Sequence, residues 1–335
     1  QNGVEILIGL ALSCLFMAFN PFAGALVVAV FLLRFFGQGM ASHAAVVAMS
    51  RWFDATRGRA LAVCTLGFTI GEAVFPFIFV ALMTLIDWRL LWVAAAIITL
   101  AGIPFLMTFL KTERHPKQMA KETKSVGMQD RHWTRGQMLR HPLFWLMVPA
   151  ILGPSAFNTA FFFHQVHYAE ITGWSHLALV AFFPLYTGFG VIWMLISGRA
   201  LDAFGTARLL PLYQLPMVVA FLLFSTGASA PVFVLGLFFL GMTAGANSTL
   251  PNAFWAEFFG TEHLGSIKAA AAAVMVLGSA IGPGITGVLI DQEVALTTQY
   301  VFIGLFFLFT SLGMWMGVLR YRGEVARYRD LRRYT

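Results

Sequence analysis

Eight polar side chains stand inside long apolar runs of this chain: Arg34, Gln38, Glu72, Asn158, His164, Gln165, Asn247 and Asn252. Their chemistry is recognition by charge and hydrogen bond where no water competes, because a polar group in lipid is expensive and faces a bundle interior. The bland alternative for each asparagine is to hold two helices together, and it stays open. Covalent chemistry has no visible home. There is no Ser-His-Asp set and no His-Glu-x-x-His stretch, and the nearest approach to a GxxxxGK[ST] phosphate loop, Lys124-Ser125, is preceded by Thr123. His164 and His167 lie three apart beside Tyr168, but without an obvious third ligand they read as a polar rim and not a metal pair. The expectation is therefore no enzyme, no metal and no cofactor.

Arg34 is the most demanding of the set. An arginine at a helix centre costs about 2.5–3.5 kcal/mol on insertion scales and cannot shed its charge, so a partner must compensate it. Glu72, twelve residues into the following apolar run, is one candidate, and an anionic substrate is another. Gln38 is one α-helical turn from Arg34 and shares its face, whereas His43, nine residues on, points about 180° away.

The elements that hold these residues follow from composition. Of 335 residues, 59% are hydrophobic and 11% charged, and the mean hydropathy is +0.78, far from a soluble globular chain. A bilayer core takes roughly 20 apolar residues per helix. The apolar runs give ten expected spans, at 3–20, 24–49, 60–86, 90–110, 143–168, 176–200, 208–228, 231–255, 266–290 and 298–319. They are too long, and too evenly apolar, for membrane barrel strands. The reading is an all-α polytopic membrane protein. Its parts are an N-terminal half-bundle of four spans (1–110), a linker with a short amphipathic stretch, WTRGQMLRH (111–141), a C-terminal half-bundle of six spans (142–319) and a basic tail (320–335). Cys14 and Cys64 sit within apolar stretches as small hydrophobes.

Basic residues orient the bundle. All of the 22 lysines and arginines except Arg34 and Arg89 fall on one side of the expected spans, which the positive-inside rule makes cytoplasmic. An even number of spans puts both ends of this chain there, in the plasma (inner) membrane. The net charge of +7 is then a matter of topology and of contact with anionic lipid, not of nucleic acid. The expected partners are a small-molecule substrate and the bilayer, with the protein itself a monomer.

Two stretches repeat at an offset of 206: GQGMASHAAVVAMSRWF aligns with GANSTLPNAFWAEFF, setting Gly39 on Gly245 and Phe53 on Phe259. Each precedes a charged turn and a glycine-rich run, with Gly67 and Gly71 in the first, and Gly278, Gly282 and Pro283 in the second. Small residues four apart let helices approach closely. Two pseudo-symmetric halves are the expectation.

Between two apolar runs stands SGRALDAFGTAR, with Gly198, Asp202, Gly205 and Arg208 in a polar turn. Together with RFFGQG, RWFDATRGRA, DWR and GSAIGPGITG, in that order along the chain, this turn resembles the signature loop of the major facilitator superfamily. The resemblance covers the whole chain as helices three to twelve of a twelve-helix fold, and it departs in two places. Gly37 and Gln38 are transposed in the arginine motif, and no adjacent basic pair follows Gly205. It implies that Gly198, Asp202, Gly205 and Arg208 serve conformational change. It also implies a central cavity lined by 24–49, 143–168 and 231–255, on which Arg34, Asn158, Gln165, Asn247 and Asn252 fall, and a third partner for Arg34, the carbonyls of a first helix. The repeat offset puts the first copy of the signature loop upstream of Gln1. A fragment lacking two helices is therefore expected, with a natural ten-span protein as the alternative.

The function implied is secondary active transport of a small organic solute, a carboxylate or other organic anion being one class, by alternating access with proton or ion coupling as symport or antiport. The resemblance is loosely to the monocarboxylate and oxalate/formate carrier branch. The alternative is a non-transporting membrane receptor or sensor on the same fold.

Overall fold

The computed structural model describes residues 2–20, 22–41, 44–45, 67, 70–71, 74–110, 126–227 and 229–325. Glu72, His43, the RWFDATRGRA turn and the basic tail from residue 326 lie outside them. Every regular element among the described residues is helical. In chain order these are α1 Asn2–Ala18, α2 Ala23–Leu33, α3 Val74–Met83, α4 Trp88–Leu110, α5 Arg135–Arg140, α6 Pro142–Phe163, α7 Gln165–Thr172, α8 His176–Val180, α9 Phe183–Phe204, α10 Thr206–Leu209, α11 Leu215–Ser225, α12 Ala230–Asn247, α13 Leu250–Phe259, α14 Leu264–Asp291 and α15 Leu296–Tyr321.

Seven helical segments among the described residues are long and apolar enough to cross a membrane, and Gly3–Ala18, Val74–Met83 and Leu215–Ser225 are shorter apolar helices. The sequence reading treats each apolar run as one unbroken rod, and several runs are not. The run at 143–168 breaks at His164, whose φ of −91° and ψ of 20° leave the α region. The run at 208–228 opens into a turn over 210–214, between Pro211 and Pro216, because each proline removes an N–H and its ring clashes with the preceding turn. The run at 231–255 is interrupted at 248–249.

The chain divides into two compact units, Gln1–Glu122 and Thr123–Thr335. In the first, α1 packs on α4 through Ala11, Cys14 and Ala96, all buried, with Leu15, Trp92 and Ala95 around them. Small side chains set that close approach. α2 runs into a π-helix, Arg34–Ala41, whose sequence RFFGQGMA places two glycines within three residues. Glycine is a poor α-helix former and gives the widened turn little resistance.

In the second unit two helix pairs are joined almost backbone to backbone. A Cβ on Gly278 would lie 2.7 Å from the carbonyl oxygen of Leu152, and one on Gly282 would overlap the carbonyl of Ala156, so α14 seats directly on α6. Ser155 Oγ donates to Met275 O at 2.6 Å across the same seam. Likewise a Cβ on Gly241 would stand 2.9 Å from Tyr186 O, and one on Gly245 would overlap Gly190 O, joining α12 to α9. α11 and α15 close the unit through aromatic packing: Phe161 stacks on Phe224 with centroids 4.5 Å apart, and Phe221 stacks on Phe307 at 6.0 Å. The large exposed apolar side chains, Phe302 and Phe309 of α15 among them, suit a lipid-facing surface.

In the described part of the linker, WTRGQMLRH is amphipathic, with Trp133 and Met138 buried and residues 134–137, 139 and 140 exposed. Met128, Trp133 and Met138 are buried in the core of the second unit. The Trp133 N–H donates to Phe259 O at 3.0 Å, where α13 ends and leaves a carbonyl to fill. The Trp133 indole donates to Met128 O, also at 3.0 Å, and Arg131 lies 3.9 Å above its ring. Gly127 fits where a Cβ would meet Phe258 O and Gly260 N. His141 then caps α6: its Nδ1 accepts from the Leu143 N–H at 3.2 Å, and its ring packs against Trp133 and Tyr321. Burial holds the His141 pKa below its ordinary value, with Glu324 opposing and Arg131 reinforcing the shift. His132 lies 3.6 Å from Glu262 and gains an ion pair only when protonated.

Two outcomes test this packing. Gly282→Ala should lower Tm by about 3–8 °C, whereas Gly284→Ala, into open space among the described residues, should leave it within about 1 °C; equal shifts would contradict the seam. A depressed histidine pKa means that the docked state gains stability above the unfolded pKa and loses it as pH falls. In a His132→Gln background, hydrogen-exchange protection of 126–141 should fall between pH 7.5 and 5.5, through the ordinary histidine range near 6.5. Adding His141→Asn should flatten that fall.

Candidate functional site

Two groups of polar side chains lie within the apolar helices of the second unit. The first is an amide and a phenol. Asn158 stands sixteen residues into α6, about 24 Å along it at 1.5 Å per residue, and its Nδ2 donates to Tyr186 Oη on α9 at 3.2 Å. The Asn158 Oδ1 is buried with no hydrogen-bond partner, as are Gln165 Oε1, Thr187 Oγ1 of α9 and Thr243 Oγ1 of α12. A buried polar atom without a partner costs roughly 1–3 kcal/mol. Such atoms inside an apolar bundle are what a hydrogen-bonding solute or an ordered water would satisfy.

The second group centres on the turn at 210–214. Gln214, completely buried, donates through Nε2 to Ala150 O at 2.5 Å and to Tyr213 Oη at 2.8 Å. Its Oε1 accepts from Thr310 Oγ1 of α15 at 2.6 Å. Tyr213 Oη in turn reaches Asn247 Oδ1 at 3.4 Å. This group is closed on itself, each strong contact being made within the protein.

The residues singled out from the sequence separate accordingly. Asn158 joins the first group and Asn247 the second. Gln165 begins α7, just beyond the break at His164. His164 turns Nε2 to Pro283 O, 3.0 Å away, and so pins α6 to α14. His167 stands 3.9 Å from Glu170 on its own helix. Asn252 is exposed and donates back to Ser248 O at 2.7 Å, one turn earlier, at the interruption between α12 and α13. In the first unit Arg34 and Gln38 both lie on the π-helix and are exposed. Each π turn closes on the fifth residue, and a Cβ on Gly39 would lie 3.5 Å from Arg34 O, so Gln38 stands within one turn of Arg34.

The polar turn also differs from expectation in one particular. α9 continues through Asp202 to Phe204 and stops only at Gly205, whose φ of +76° is in the left-handed region that favours glycine. Asp202 therefore lies in the last turn of α9 and not in an open turn. Gly198 is inside α9 with open space around it, and Arg208 is in α10. Gly278 and Gly282 form the α6–α14 seam described above, Pro283 follows them within α14, a Cβ on Gly71 would lie 3.2 Å from the Phe75 ring, and a Cβ on Gly67 would meet nothing within 4 Å among the described residues.

Tyr186, Tyr213, Gln214 and Thr310 escape the sequence reading, because each is a common residue in an unremarkable run. One signal was present for two of them: Tyr213 and Gln214 lie between Pro211 and Pro216, where a helix in lipid must open.

An all-helical bundle with membrane-length helices, glycine seams and a few buried polar groups defines a multi-pass integral membrane protein of transporter type. The chain matches the family model of the Major Facilitator Superfamily over residues 6–283 and again over 194–330, and it belongs to that family. Its fold is similar to the crystal structure of a bacterial homolog of the human lysosomal transporter Spinster in an inward-facing, unoccupied conformation. That match has 12% identity and a TM-score of 0.65 and covers 97% of this chain and 85% of the other. It is also similar to the human organic anion transporter MFSD10 (TETRAN), at 15% identity, TM-score 0.59, and 93% and 76% coverage. No curated protein matches it in sequence.

Proposed function

We propose that this chain is a secondary active transporter that moves a small organic solute by alternating access, with protons or co-transported ions as the energy source. Membership of the superfamily supports the transporter class. The observation that carries the solute site is the half-satisfied Asn158, with its amide nitrogen on Tyr186 and its buried oxygen without a partner. Burial makes an unmade hydrogen bond costly, so a ligand that supplies a donor gains what the empty site lacks. An organic anion that also carries a hydroxyl or N–H donor for the Asn158 oxygen is the favoured class, since one of the similar folds is named an organic anion transporter. The proposed frame has ten spans of a twelve-helix plan in two pseudo-symmetric halves. Both ends of this chain are cytoplasmic, and the protein is a monomer in the plasma (inner) membrane.

The test is solute uptake by full-length protein in liposomes, guided by thermal-shift screening against organic acids, amino acids, sugars and drugs, since ligands stabilise in proportion to occupancy. One or more organic acids should raise Tm and be accumulated. Asn158→Ala should weaken apparent affinity about tenfold, the worth of one hydrogen bond to a buried group. Arg34→Lys, which keeps the charge and loses the planar fork, should abolish uptake of carboxylates. Ligand binding without any accumulation would favour a receptor or sensor on the same fold, and unchanged uptake in both variants would remove both residues from any role in transport.

A further inference from the structure

In the second group the proline-flanked turn at 210–214 meets a helix that carries prolines in its interior. In an α-helix the N–H of residue 154 would donate to the carbonyl of residue 150, but Pro154 has none, and α6 carries this proline in its interior. A carbonyl so released cannot turn to water inside a bundle. Gln214 supplies the missing donor through Nε2 at 2.5 Å. The second hydrogen of that amide is spent on Tyr213 Oη, and its oxygen is held by Thr310, so the side chain has no group left for a solute. Gln214 itself stands at the start of α11, just before the second of the two prolines that open the 210–214 turn, and that turn lets its side chain enter the unit at this level.

We propose that Gln214 is a positioning residue: it takes the place of the Pro154 N–H and thereby fixes the opened turn of α6 below Asn158. Asn158 lies eight residues beyond Ala150, about 12 Å along the helix, so the set of that turn decides where its amide stands relative to Tyr186. The functional half of this inference rests on Asn158 being a solute contact; the latch itself does not.

A double-mutant cycle in purified full-length protein separates the two. Gln214→Met removes the close donor and leaves Ala150 O only the Tyr213 hydroxyl at 3.5 Å, which should lower Tm by about 3–8 °C. Pro154→Ala restores a helix N–H to that carbonyl, and in its background Gln214→Met should lower Tm by less than half as much. Equal losses in the two backgrounds would overturn the latch. Should Gln214→Met fail to fold, recovery of a folded protein in the Pro154→Ala/Gln214→Met chain supports the latch, and continued failure overturns it. Hydrogen exchange gives the local reading: Gln214→Met should raise exchange over 155–163, beyond the proline, and Pro154→Ala should suppress that rise. A rise confined to 210–225 would make Gln214 a tether for α11 alone and overturn its positioning role. Neither reading involves a solute, so the latch can stand or fall apart from the transport activity.

Discussion

A backbone carbonyl inside a bilayer must find a donor within the protein, and this chain repeatedly removes donors with proline. Pro149 and Pro154 interrupt the ladder of α6, Pro283 that of α14, and Pro211 and Pro216 flank the opening ahead of α11. Each loss must be made good locally, because water is excluded. The recorded repair at Ala150 is a buried glutamine from another broken helix, and where α6 ends the His164 ring meets the carbonyl of Pro283 in α14. Irregular backbone thus occurs where neighbouring polar groups can satisfy it, and the polar groups are there because the backbone is irregular.

The same constraint explains why glycine and polar side chains work together in the second unit. Without a hydrophobic driving force between helices in lipid, association rests on close packing and hydrogen bonds. Gly278 and Gly282 let α14 touch the backbone of α6, and only at that separation can the Ser155 hydroxyl reach Met275 O. The α9–α12 seam places Tyr186 over Gly241, and it is Tyr186 that meets Asn158. A site amide on one helix is therefore positioned by a glycine contact between two others.

For a transporter this arrangement divides labour. The glycine seams and aromatic packing join the helices of the second unit closely, while the turn at 210–214 is where its helices open. Asn158 retains an unmet oxygen, whereas Gln214 and Tyr213 are spent holding that turn. The linker residues 126–141 add a further attachment: Trp133 fills the end of α13 and His141 caps α6, so the amphipathic segment buries its apolar side in the core of the unit.

The amino-acid sequence by itself determined that the chain is helical and crosses a membrane, because the length and hydropathy of each run answer to the thickness and polarity of the bilayer, which are external and fixed. It also determined the superfamily, since the polar turn and the glycine-rich runs recur in one order along the chain. It marked Asn158 and Asn247, because an amide in an apolar run is conspicuous one residue at a time. Only the tertiary structure decided their fates. Whether an amide is free for a ligand depends on which carbonyl or hydroxyl another helix brings within 3 Å, and that follows from the glycine seams, the breaks at His164 and 210–214, and the π turn at Arg34. Those features displace side chains from the faces that a regular 3.6-residue period assigns, so the linear pattern found the spans and could not say which of their polar groups meet.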